Sequence, residues 1–420
     1  MYIHRPTKGL CIRSLGFLVL IVALIASSDV RSQQPNTLAG TLYVQFRNGA
    51  PWPLVANAPN NGTLNTFAQG GPNAPWMILL GPLHPSSIIS AGGQRLDVGT
   101  PPALADVALI GNGGGDPFVA GFMQTDGVGI QSVNWPIGTG FMGQLPGIQA
   151  LMIDPTSPDG FIMTGASQIT LKPSKSVMFL QGDYNPGPFP NCRLSDTSPF
   201  GFSSLKSLLL TAGFNSVTEV IDTQVTVDQT LVSGKDLVVL GSNQRALTSN
   251  EVLVLANVVR QGRGLLAYAD AQFGPSNWSS DNSVLNQFGL GVANDNFGGL
   301  VSIGSFVPHP VTRGLDLGIT AEGISLVQVA APTAPFAITP TALAPCATNG
   351  GCFPIPATPP IPAVSPVYSA IAVGGSTFGG RVAVTCDRNT FLNAPGIGTS
   401  IDAANNLLYA INLFYWAAGY

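Results

Sequence analysis

From Gly40 to about Lys172 the apolar residues come in short runs, "TLYVQF", "PWMILLGPL", "ADVALIG", "IQSVNWPI", "IQALMIDP" and "SQITLKP". Clusters of Gly, Pro, Asn and Asp such as "NAPNNG" and "GNGGGDP" separate them, and no helical period of any length intervenes. Short runs of β-branched and aromatic residues between turn signals predict strands. Residues 38–172 are therefore expected to form an all-β sandwich.

Beyond "LKPSK" the pattern changes. "SVMFLQGD" is a near-continuous apolar run, and "SSLKSLLLTAGF" reads as a helix ending at Gly213. "VTEVID" and "DLVVLGS" read as strands. In "TSNEVLVLANVVRQG" Thr248 and Glu251 stand in capping-box spacing, with Val252, Leu255, Ala256 and Val259 on one face. "GRGLLAYAD" is a further buried strand, and "DNSVLNQFG" a short helix with Asp281 as its expected cap. "ISLVQVA", "VYSAIAV" and "RVAVTCD" follow as strands. The last helix should carry Ala404, Leu407, Leu408, Ile411, Phe414 and Ala418 as its apolar stripe, with Gly419 ending it. Apolar strands alternating with helices imply a parallel sheet buried on both faces. Residues 174–420 are expected to be an α/β layered domain.

Composition alters this picture in three ways. A basic start followed by "LGFLVLIVALIA" is too short to span a bilayer, which takes about 20 residues; residues 1–32 read as a secretory signal peptide. The protein is then expected to be secreted, periplasmic or at the cell surface, with no membrane span after signal removal. Charged residues are 9% of the chain and the net charge is −4, so there is no basic field for nucleic acid. Outside the signal the cysteines are Cys192, Cys346, Cys352 and Cys386. Cys346 and Cys352 flank an Asn-Gly-Gly turn and are expected to close a small disulfide loop. Cys386 is read as an inert thiol or as a partner of Cys192.

In a parallel α/β sheet, ligands and catalysis sit beyond the carboxyl ends of the strands. The residues expected there are Asp183 and Asn185, Ser242 and Asn243, Asp270, and Asp387. His309, fixed between two prolines in "VPHPVTRG", joins them as a binding candidate. Carboxylates in such a rim could divide acid from base work, cap loop amides, or hold Ca²⁺. His84 stands alone in the first domain. "GNGGGDP" lacks the Lys-Ser/Thr ending of a phosphate loop and reads as a turn.

The order "DLVVLGS … NEVLVLANVVRQGRGLLAYAD" resembles the class I glutamine amidotransferase-like superfamily. "HPVTRGL" and "GRVAVTCDRNTFLN" are similar to segments of its exported branch without a catalytic cysteine. The resemblance covers roughly 240 residues and implies a flavodoxin-like fold; the preceding strands look similar to a small β-sandwich module of exported bacterial proteins. An amidotransferase needs a thiolate activated by a histidine. Here the nucleophile turn carries Ala269, Asp270 and Ala271, and the chain has three histidines, none near the last strand. The expectation is a non-catalytic exported protein without a cofactor that recognises a carbohydrate or protein partner. A glycoside or ester hydrolase built on Asp183, Asp270 and Asp387 is the alternative.

Overall fold

The computed structural model describes residues 40–49, 53–101, 104, 106–110, 122–182, 192–241, 243–268, 278–292, 300–315, 317–321, 327–329, 338–346, 367–376, 379–395 and 399–420. The chain divides into two compact units, Met1–Pro173 and Ser174–Tyr420. The signal-like segment, Asp183, Asn185, Ser242, Asp270, Cys352 and the "GNGGGDP" turn lie outside the described residues.

The first unit is built from strands, with no helix among its described residues. A four-stranded antiparallel sheet joins Thr41–Val44, Arg47–Asn48, Thr63–Gln69 and Ile130–Pro136. A seven-stranded sheet is centred on Gly143–Ile153, flanked by Pro75–Gly81 and Ser167–Lys172. Successive side chains of a strand point to opposite faces, and here both faces are covered. Met77, Leu79, Leu151 and Met163 share a core with Leu96 and Val98 of the antiparallel pair Leu83–Ile89 and Arg95–Val98. On the other face Met152 and Ile162 press against Gly40, where a Cβ would stand 3.1 Å from the Met152 sulfur and 2.9 Å from Ile162. His84 lies exposed on Leu83–Ile89.

The second unit holds a seven-stranded sheet whose members in chain order are β1 (Ser176–Gln181), β2 (Ser216–Ile221), β3 (Leu237–Gly241), β4 (Gly264–Tyr268), β5 (Ile338–Ala342), β6 (Ile371–Ser376) and β7 (Arg381–Thr385). Their spatial order is β2-β1-β3-β4-β7-β6-β5. The first five in that order are parallel, and β6 and β5 extend the sheet antiparallel. Counting the parallel strands alone, the order is that of flavodoxin-like sheets, whose direction of winding reverses between the first strand and the third. Here that point lies between β1 and β3.

Among the described residues four helices of eight or more residues cover the sheet, α1 (Ser203–Thr211), α2 (Ser249–Arg260), α3 (Trp278–Leu285) and α4 (Asn406–Ala417), besides the single turn Gln229–Val232. Met178, Leu180, Val238 and Leu240 pack with Leu255, Val259 and Val284 of α2 and α3. Phe179 stacks on Phe414 of α4 at 5.9 Å, and the Tyr415 hydroxyl donates to the Ala212 carbonyl at the end of α1, 2.6 Å away. The capping box at α2 forms as its spacing predicts.

Three elements depart from expectation. Helix α3 begins at Trp278, so Asp281 stands in its first turn rather than capping it. Helix α4 begins at Asn406, and Ala404 precedes it with a φ of 48°. Leu407 is 40% exposed while Tyr409 through Ala417 are all buried; a helix enclosed on nearly every side has no single stripe. Residues 290–376 contribute a small antiparallel sheet of Leu290–Val292, Val327–Val329, Pro345–Cys346 and Val367–Ser369, besides the pair Leu300–Ile303 and Gly318–Ala321.

Candidate functional site at the carboxyl edge of the sheet

The carboxyl ends of β2, β1, β3 and β4 lie side by side, and each carries a buried polar side chain with an unpartnered atom. Next to β2, Asp222 is 0% exposed; its Oδ2 accepts the backbone N–H groups of Gln244 and Arg245 at 2.5 and 2.9 Å, while Oδ1 has no hydrogen-bond partner. At the end of β1, the Gln181 amide nitrogen donates to Glu219 of β2, and its Oε1 is unpartnered. Just past β3, the Asn243 amide nitrogen donates to Asp281 Oδ1 at 2.8 Å, and its Oδ1 is unpartnered. At the end of β4 the Tyr268 hydroxyl is unpartnered. Burial pushes that phenol well above its ordinary value, with Cys192 and Tyr409 adding to the shift. Buried polar groups of native proteins are nearly all hydrogen-bonded, and four of the exceptions among the described residues fall on four adjacent strand ends.

Charge is held tightly around this row. Glu219 also forms an ion pair with Arg193, whose Nε lies 2.9 Å away, and accepts from the Leu194 N–H at 3.1 Å. Arg245 reaches Glu251 with Nη1 at 2.9 Å and donates through Nε to the Asp222 carbonyl at 2.6 Å. That arginine, helped by the Thr248 and Val227 amides, holds the Glu251 carboxyl down to about 2. These bonds tie the chain after β3 to the turn after β2, and so set the position of Asn243.

Asp387 follows β7 and is wholly buried, its Oδ1 accepting the Asn389 N–H at 2.8 Å. That bond closes a turn after β7. Cys192 and Cys386 are both buried thiols. Cys346 pairs with Tyr368 through its backbone in a short strand; its side chain lies outside the description. Beside Cys386 and Tyr409 a partly open cavity of about 20 Å³ has room for about one water. A more open groove of about 340 Å³ lies between the first turns of α1 and α4, lined by Ser203, Ser204, Ser207, Leu208, Ile401, Asp402 and Leu407.

His309 is not part of this edge. Its ring stands 5.2 Å from Trp416 near the end of α4, and the guanidinium of Arg381, which opens β7, lies over the same indole at 5.2 Å. Its Nδ1 accepts the Val311 N–H at 3.1 Å. Burial first, and Arg381 second, lower its pKa. His309 therefore belongs to the amino edge of the sheet. Among the described residues no three or more His, Cys, Asp or Glu side chains group to hold a metal ion, and no helix is long and apolar enough to cross a membrane.

The sequence patterns do not single out Gln181, Glu219, Asp222 or Tyr268 as site residues. The available signal was a polar side chain closing an apolar strand, as Gln181 closes "SVMFL" and Asp222 follows "VTEVI".

No protein-family model matches the chain, and no curated protein matches it. Among solved structures it is similar to the N-terminal domain of mmIFT52, at 17% identity and a TM-score of 0.40, over 58% of this chain and 97% of that one. It is also similar to a ThuA-like protein from Parabacteroides merdae, at 15% identity and a TM-score of 0.35, over 58% of this chain and 90% of that one. A ThuA-like protein from Bacteroides uniformis gives 14% identity and a TM-score of 0.33, over 58% and 90%.

Proposed function

We propose that the second unit is an amidotransferase-like domain that has no glutamine chemistry and acts as a recognition module of an exported protein, binding a hydroxylated ligand, a carbohydrate, at the carboxyl edge of its sheet. The observation that carries this reading is the row of unpartnered oxygens on Asp222, Gln181, Asn243 and Tyr268. Three of them can only accept a hydrogen bond and the fourth can accept or donate, so the row calls for a ligand rich in O–H donors. The motif resemblance and the flavodoxin-like order of the parallel strands support the fold assignment.

A non-catalytic role is supported by the separation of the reactive groups. Nucleophilic catalysis needs a nucleophile within hydrogen-bond reach of its base. His309 stands at the amino edge beside Trp416 and Arg381, away from the strand ends, and Cys386 is buried. Asp270, which follows β4 in sequence, and Asp183 and Asn185, which follow β1, are proposed to position ligand rather than to attack it. The first unit is proposed as a β-sandwich module of the same exported protein.

The test is a glycan array probed with the whole secreted chain, followed by calorimetry on any sugar retained, with ammonia release from glutamine measured in parallel. Binding of a sugar without ammonia release is the expected result. Glutaminase activity that persists through purification, or an array on which nothing is retained, overturns the reading.

A further inference from the structure

We infer that Asn61 is a site of spontaneous covalent modification, which cyclises with Gly62 and opens to isoaspartate while the first unit remains folded. Asn61 and Gly62 stand at the corner where the chain leaves strand Leu54–Pro59 of the seven-stranded sheet and enters Thr63–Gln69 of the four-stranded one. Asn61 is exposed there. The reaction needs the Gly62 nitrogen to reach the side-chain carbon of Asn61, and glycine hinders that approach least, since it has no Cβ and takes left-handed backbone freely. Gly62 has a φ of 88°. The Asn61 side chain is already folded back over the Gly62 peptide, because its Oδ1 accepts the Thr63 N–H at 3.1 Å. That bond also puts a donor on the oxygen that gains negative charge as the carbon becomes tetrahedral. The Gly62 N–H donates to Asn60 Oδ1 at 2.7 Å, so the corner opens by one hydrogen bond before the nitrogen reacts. The nitrogen then gives its proton to hydroxide and bonds to Asn61 Cγ; the Cγ–Nδ2 bond breaks, and ammonia leaves with a proton taken from water. Water adds to one of the two carbonyls of the resulting cyclic imide and yields aspartate or isoaspartate.

Asn48 and Gly49 carry the same dipeptide in the opposite setting. Asn48 pairs with Tyr43 in an antiparallel ladder, and Gly49 lies so near the Ala166 carbonyl that a Cβ would stand 2.0 Å from its oxygen. Asn48 therefore reacts only when that pairing opens, whereas the Asn61 corner has no ladder to break. The modification also has a structural consequence. Isoaspartate routes the main chain through the former side chain and adds one carbon between Asn60 and Gly62. Asn60 is 5% exposed, and its amide nitrogen reaches the carbonyls of Gly138, Thr139 and Phe141 at 3.0, 3.3 and 2.5 Å. The residue next to the lengthened link thus holds the loop that presents Phe141 and Met142, which are 44% and 47% exposed. Modification at Asn61 should loosen that loop.

The experiment ages the whole chain at mildly alkaline pH, folded in one arm and unfolded in urea in the other. Digests are mapped by mass spectrometry, and isoaspartate is scored by labelling with an isoaspartyl methyltransferase. In the folded arm Asn61 should convert at least about tenfold faster than Asn48, whose strand must open first. In urea the two should convert at similar rates. Chymotrypsin should cut after Phe141 sooner in aged wild type than in aged Asn61→Gln, with circular dichroism showing that both are folded. Equal conversion of Asn48 and Asn61 in the folded arm overturns the inference, as does an Asn61 that reacts in urea and stays intact when folded. Equal cleavage of the two aged proteins after Phe141 overturns the link to the loop.

Discussion

The two edges of the parallel sheet are finished in opposite ways. At the amino edge, backbone closes on backbone. Gly264 and Gly380 lie so near the carbonyl oxygens of Ala417 and Val259 that a Cβ at either would overlap them. Lys175 donates to the Ala418 carbonyl and lies over the Tyr420 ring at 5.1 Å. Arg381 donates to the Trp416 and Tyr420 carbonyls at 2.8 and 3.1 Å, and Asp236 Oδ2 accepts the Ser176 N–H at 2.8 Å. At the carboxyl edge the glycine at the strand end, Gly241, faces a side chain instead, and the polar row keeps oxygens in reserve. The lesson is that one sheet can have one end closed by backbone contacts and the other left with unpartnered oxygens, because helices enter and leave it on different sides.

The sharpest way to break this comparison is to add one methyl group to each edge. Gly264→Ala drives a Cβ into a carbonyl that cannot move without shifting α4, so it should destabilise by about 3 kcal/mol and fail to accumulate or melt far below wild type in a urea titration. Glu251→Ala comes next. It removes the capping box and the partner of Arg245, and should lower stability by about 2 kcal/mol at pH 7.

That second effect carries a pH signature. The folded carboxyl of Glu251 is held at about 2, below its ordinary 4.5. Its contribution is therefore complete above pH 4.5 and is lost as pH falls toward 2. Melting temperatures of wild type and Glu251→Gln, measured across that window, should converge at the acid end; a constant gap would show that the Arg245 pairing is not the source. Gly241→Ala should be milder, about 2 kcal/mol, since the added Cβ meets the Gln181 side chain at 2.9 Å rather than a carbonyl oxygen at about 2 Å. Equal penalties at Gly241 and Gly264 would erase the contrast between the edges. The smallest effect belongs to His309→Phe, about 0.5 kcal/mol at pH 7. Because the folded imidazole titrates below its ordinary value of 6.5, the fold favours the neutral ring, and wild type alone should lose stability as pH drops below about 6.5.

The sequence shows what is local. The Thr248–Glu251 box lies within four residues and was legible, as were the buried runs of β1, β3, β4 and β7 and the glycine ends of α1 and α4. Asn243 could be placed at a strand end, but its bond to Asp281 could not. That aspartate is 38 residues away in sequence, and Trp278 and Ser279 give no signal that α3 starts before it. Asp387 could be placed at a strand end, while the Asn389 N–H that its Oδ1 accepts could not be read from that position. His309 looked like a site residue through its Pro-flanked motif. The segment that carries it instead runs along α4, where Asn412 donates to the Arg313 carbonyl at 2.9 Å, and this delivers the ring to the opposite edge. The polar ends of β1 and β2 were visible but carried no meaning until their partners were known.

The ladder between β4 and β7 pairs Gly264 with Arg381 and Tyr268 with Thr385. These neighbours in space are separated by more than a hundred residues of chain, including the small antiparallel sheet and β5 and β6. Closing so long a loop must precede the reward of pairing, and contacts of that range slow folding. A nascent chain would carry β1 to β4 with one flank of β4 bare for as long as the ribosome takes to make the intervening segment, so this unit should depend on holding factors during synthesis more than its final stability would suggest.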